Sequence, residues 1–120
     1  MSQEDSMYHP VSREVAAQRR SLAPAVSEAF SAFNRAVFAD GALPAKTKQL
    51  TAVAVAHVTQ CPYCIKGHTK QAVQAGATAE EIMEAVWVAA EMRAGGAYAH
   101  AAIALETVAQ IQRDRERDTA

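Results

Sequence analysis

Glycine, proline and aromatic residues are all scarce in this chain, with 5 Gly, 4 Pro and 6% Phe, Trp and Tyr in 120 residues. β-Branched residues never run together for long. Such a sequence offers little to a sheet, and it favours helix almost everywhere. No apolar run approaches the ~20 residues that a membrane-spanning helix needs. Charge of one sign is also missing: 12 Lys and Arg oppose 13 Asp and Glu, for a formal net charge of -1. That leaves no long-range electrostatic reason to bind nucleic acid or an anionic membrane. The first ten residues, "MSQEDSMYHP", have neither a basic segment nor an apolar core. A secretory signal is not expected, and a cytoplasmic location is. There are only 2 cysteines. In a reducing compartment a lone pair suits catalysis or metal binding better than a structural staple.

Alanine is abundant, at 28 residues, and hydrophobic residues make up 50% of the chain. The length suits one domain. Residues 1–10 read as an arm, 11–114 as a helical domain, and 115–120 as a charged tail that frays. The spacing predicts a first helix over 10–20. A second, over 21–41, has Pro24 in its first turn and Val26, Phe30, Phe33, Val37 and Phe38 at three- and four-residue intervals. Gly41 is expected to end it. A third helix, over 43–60, is apolar all round in its far half and belongs in the centre of the fold. Pro62 cannot donate from inside a continuous helix, so the chain is expected to turn at 60–61. A new helix over 61–76 then starts with Cys61 near its N-cap. Thr78 and Glu81 have capping-box spacing and open a helix over 78–96. Gly95 and Gly96 are expected to close it before a last helix over 97–114. The fold class is all-α, a compact domain of about five to six helices.

The chemistry concentrates in "QCPYCIKGH", residues 60–68. On a helix at about 100° per residue, Cys64 lies about 60° and His68 about 20° from Cys61, so the three share a face. One end of that face is a helix N-terminus, where amide hydrogens and the dipole favour a thiolate. The second thiol is placed to attack a sulfenic acid or mixed disulfide formed on the first. His68 is placed to take or give a proton. Three readings stay open on the residues alone. The first is a dithiol redox device. The second is a zinc site built from Cys61, Cys64 and His68 with His57 or His100, although its ligands would crowd onto two helical turns. The third is a pair of buried cysteines filling small core positions. Glu84 and Glu91 read as solvated or interface carboxylates, and Trp87 as a core or interface residue.

The stretch from "LPAKTKQLTAVAVAHVTQ" through "CPYCIKGH" and "AGATAEEI" resembles the alkylhydroperoxidase D-like proteins of the carboxymuconolactone decarboxylase superfamily, over about residues 24 to 106. The resemblance implies a small all-helical protein that forms homo-oligomers, trimers or hexamers. It implies thiol-dependent peroxidase and disulfide reductase activity, and the cysteine pair argues against lactone decarboxylation. Matched by position, Cys64 is the peroxidatic cysteine, Cys61 the resolving cysteine and His68 the relay histidine. The implied partners are a hydroperoxide and a cellular dithiol reductant, dihydrolipoamide- or thioredoxin-like. A peroxiredoxin is a further implied partner if the pair serves as a redox adaptor or sensor. No cofactor or metal is required. Two relay positions differ from that branch. Gln49 stands where it has a glutamate, and Tyr63 where it has a histidine between the cysteines. Glutamine can hydrogen-bond but cannot take a proton at neutral pH. Gln49, Tyr63 and His57 are the candidates to complete the relay.

Overall fold

A computed structural model describes residues 8–119. Five helices follow one another: α1 (Arg13–Leu22), α2 (Pro24–Phe38), α3 (Ala45–Thr59), α4 (Pro62–Gln74) and α5 (Ala79–Thr119). No strand occurs among the described residues. The fold is all-α, and short side-chain devices set its helix ends. Ser12 Oγ accepts from the Val15 amide at 3.1 Å to cap α1. Pro24 opens α2, where a missing N–H costs nothing. The α2 end is closed from outside: Lys48 Nζ donates to the carbonyls of Val37 at 2.9 Å and Ala39 at 2.7 Å. The sequence pattern placed this end at Gly41, but the helix stops at Phe38. The lysine supplies the stop, and Gly41 is not in the left-handed region that a glycine cap uses.

The turn expected at 60–61 is present. Gln60 adopts a left-handed conformation, φ 57° and ψ 47°, and the Cys61 amide reaches back to the Ala56 carbonyl at 3.1 Å. Gly76, at φ 99°, ends α4 in a conformation that side chains resist. The capping box of α5 is reciprocal. Glu81 N donates to Thr78 Oγ1 at 3.1 Å, and Thr78 N donates to Glu81 Oε1 at 3.0 Å. Lys46, 2.8 Å from Glu81, and the Thr78 amide hold that carboxyl below the usual glutamate range.

Helix α3 lies between α4 and α5, as its all-round apolar pattern required. Val53, Ala72 and Ala77 form the buried centre, with Leu50, Ile82 and Val86 packed against them. This core is small. At the other end, α1 packs on α2, which touches α3 only lightly. The radius of gyration is 21.8 Å, against about 14 Å for a compact domain of this length. The all-α class is as expected, but the single chain is more extended than a compact domain.

Two expectations about the C-terminal third are corrected. The helices predicted over 78–96 and 97–114 are one helix, because Gly95 and Gly96 both keep helical geometry. A mid-helix glycine costs about 1 kcal/mol and need not break the helix. The stretch 115–120, expected to fray, is helical through Thr119, where Arg117 pairs with Asp114 at 3.1 Å. Of the arm over 1–10, residues 1–7 lie outside the described residues. Tyr8 packs edge-on against Tyr63, with ring centroids 5.9 Å apart.

Candidate active site

The site is built at the α3–α4 corner. Because Gln60 is left-handed and Pro62 takes the first helical position, Cys61 becomes the N-cap of α4. Its Sγ accepts from the Cys64 amide at 3.3 Å, a role more often filled by a serine or aspartate oxygen. Both cysteines are free thiols, and both are half-buried. Their environments divide them. The Cys64 thiol and amide, helped by the Tyr63 amide, donate to Cys61 and hold its thiol below the ordinary range. Cys64 is pushed the other way, first by its hydrogen bond to Cys61, then by burial and by the charge on Cys61. Of the two thiols, Cys61 is therefore the one that ionises first.

Cys64 and His68 both line an apolar cavity of about 450 Å³, walled by Phe38, Leu43, Ala52, Val55 and Ala56. A larger cavity of about 630 Å³ between α1 and α2 contains neither cysteine nor histidine. The His68 ring stacks on Phe38 with centroids 4.9 Å apart and planes at 31°. Its Nδ1 donates to Gln49 Oε1 at 2.8 Å. Gln49 is only 5% exposed, and its Nε2 donates in turn to Gln71 Oε1 at 2.9 Å. Gln49 is therefore hydrogen-bonded to His68 from the neighbouring helix, through an amide that cannot move a proton.

The other candidates stand apart from this group. His57 Nδ1 donates to the Val53 carbonyl at 2.8 Å within its own helix and makes no hydrogen bond to Cys61, Cys64 or His68. Tyr63 turns outward, at 45% exposure, against Tyr8. His100, weighed above as a zinc ligand, lies within α5. Its Nδ1 donates to the Gly96 carbonyl at 2.6 Å, within the same helix. Among the described residues, no three His, Cys, Asp or Glu side chains converge as a metal site requires. Glu84 and Glu91 are exposed, and Trp87 is 67% exposed. Two site residues escaped the sequence reading. The sequence pattern marks Phe38 only as one apolar position of the second helix. Gln71 was not singled out, although it lies three residues beyond His68 on the same helix face.

An all-helical chain with a dithiol at a helix N-terminus, a histidine one turn further on and an apolar cavity beside them defines a class of small thiol proteins. The comparisons make it specific: residues 24–107 match the carboxymuconolactone decarboxylase family, and the chain belongs to that family. It is 65% identical over 86 residues to the Paracoccus denitrificans protein named uncharacterized protein 4 in cox locus, spanning 72% of this chain and 78% of that one. Two solved structures are similar. The apo form of a carboxymuconolactone decarboxylase family protein from Legionella pneumophila is 41% identical, covers 76% of this chain and 81% of its own, and superposes with a TM-score of 0.63. A family member from Thermotoga maritima, for which involvement in an antioxidative response has been suggested, is 37% identical. It covers 54% of this chain and 67% of its own, with a TM-score of 0.52.

Proposed function

We propose that the chain is a thiol-dependent peroxidase and disulfide oxidoreductase of the alkylhydroperoxidase D type. One observation carries this reading: Cys64 and His68 line the same apolar cavity, and Cys61 is hydrogen-bonded to Cys64. The cycle starts when the Cys64 thiol gives its proton to His68. The thiolate attacks the hydroperoxide, the O–O bond breaks, and one oxygen stays on sulfur as a sulfenic acid. The departing alkoxide takes the proton back from His68 and leaves as an alcohol. Cys61 thiolate then attacks the sulfenic sulfur, forming the disulfide and, with one more proton, releasing water. A dithiol reductant reopens the disulfide and is itself oxidised. No flavin, haem or metal takes part in these steps.

The lowered pKa of Cys61 supports a second reading, in which the pair mainly exchanges disulfides with a partner such as a peroxiredoxin. Gln49 adds weight to it, because a relay that ends in an amide should hinder peroxide cleavage more than thiol exchange. Steady-state turnover of an organic hydroperoxide, with dihydrolipoamide or a thioredoxin system as reductant, decides between them. The peroxidase reading expects turnover that Cys64→Ser abolishes. Turnover that survives Cys64→Ser overturns it. Disulfide exchange without hydroperoxide turnover favours the second reading.

A further inference from the structure

The open question at this site is what governs His68 when its neighbour cannot exchange a proton. A glutamine side chain has two faces. Its oxygen can only accept and its nitrogen can only donate, and rotating the amide swaps them. If Gln49 presents its oxygen to His68, Nδ1 must carry the proton, and Nε2 keeps a lone pair with which to act as a base. If it presents its nitrogen, the reverse holds: the proton moves to Nε2 and the base is lost. A carboxylate at position 49 would have no such ambiguity, since both its oxygens accept. The direction then depends on which atom the next amide, Gln71, turns toward Gln49. Here its Oε1 accepts from Gln49 Nε2 at 2.9 Å and so leaves Gln49 Oε1 to His68 Nδ1 at 2.8 Å. Gln49 is 5% exposed, so solvent is poorly placed to substitute for either partner. His68 Nε2 makes no hydrogen bond to a described residue and is the ring nitrogen left for chemistry.

We propose that Gln71 is a positioning residue: by accepting from Gln49, it fixes the Nδ1–H tautomer of His68 and keeps Nε2 available as the base for Cys64. The use made of that base rests on the peroxidase reading, but the tautomer does not, and the test reads the tautomer directly. Gln71 is exposed on α4, so its side chain can be changed without cutting into the core. Gln71→Glu keeps an acceptor and has no donor. Gln71→Lys offers only donors and should reverse the chain of amides. Gln71→Met offers neither.

The measurement is the pair of ring-nitrogen ¹⁵N shifts of His68 at a pH where the ring is neutral, in the reduced full-length protein. Helicity by circular dichroism is followed alongside. The wild type and Gln71→Glu should show the proton on Nδ1. Gln71→Lys should move the larger share to Nε2, and Gln71→Met should give a mixture. If the protein also turns over hydroperoxide, Gln71→Lys should slow it by about tenfold or more, up to the ~10²–10⁴ that a positioned base supplies. A wild type with its proton on Nε2 overturns the proposal. So do well-folded Gln71→Lys and Gln71→Met proteins that keep the wild-type tautomer. The expected tautomers in a protein without hydroperoxide turnover would leave the positioning role standing and remove the peroxidase reading instead.

Discussion

Cys61 and Cys64 are chemically alike and three positions apart, yet the helix end treats them differently. Cys61, at the N-cap, collects the amide of Cys64 and the thiol that follows it; Cys64, inside the first turn, faces the cavity. The consequence is a pH dependence whose direction is fixed. A thiol whose pKa is lowered stays ionised, and so stays nucleophilic, at pH values where an ordinary thiol is already protonated. Alkylation of Cys61 by iodoacetamide should therefore persist as the pH is brought down below the ordinary thiol range. Cys64→Ala removes the thiol donor that contributes most to this lowering, so the midpoint should move upward. Mass-resolved alkylation rates across pH check it, and an unmoved midpoint would contradict the assignment. At this scale the sequence was informative about Cys64 and His68, whose four-residue spacing puts them on one face and on one cavity, whereas Cys61 at the N-cap touches Cys64 without lining it. It was silent about Gln71, whose role depends on a glutamine from another helix.

At the scale of elements, the site exists because two interruptions fall where they do. The left-handed Gln60 and Pro62 end α3 and begin α4, and this brings Gln49 of α3 beside His68 of α4. Both breaks were legible, since proline and a capping position have local rules. Gly95 and Gly96 looked like the same kind of signal and were not. Glycine permits a break but does not require one, and a helix survives it when the conformation stays right-handed. A Cβ built on Gly96 meets nothing within 4 Å, and the residue lies inside α5. Gly96→Ala should accordingly raise thermal or denaturant stability by about 0.5–1 kcal/mol. A loss of stability would show that the helix is not continuous there.

At the scale of the whole molecule, the pattern of Val26, Phe30, Phe33 and Val37 was legible as a helix face, but its partner was not. These residues remain 70%, 66%, 64% and 42% exposed, and Trp87, Met92 and Tyr98 on α5 are also uncovered. Periodicity says that a face is apolar; it does not say whether the same chain covers it. So much exposed apolar surface on a chain 70 Å long is the kind that association covers, and the family resemblance implies a homo-oligomer. Sedimentation at micromolar concentration should show such an assembly, and Trp87→Asp should shift it toward smaller species. A wild type that sediments as a monomer would contradict this. The central claim, that Cys61 and Cys64 form one reversible redox centre, has a more direct test. Thiols are titrated in the reduced protein before and after one equivalent of an organic hydroperoxide, and the intact mass is then measured. The account predicts that both thiols are lost together, that the mass falls by two hydrogen atoms, and that a dithiol restores both. Thiols that survive the hydroperoxide, or a lasting oxygen adduct on one cysteine with the other still free, would contradict it.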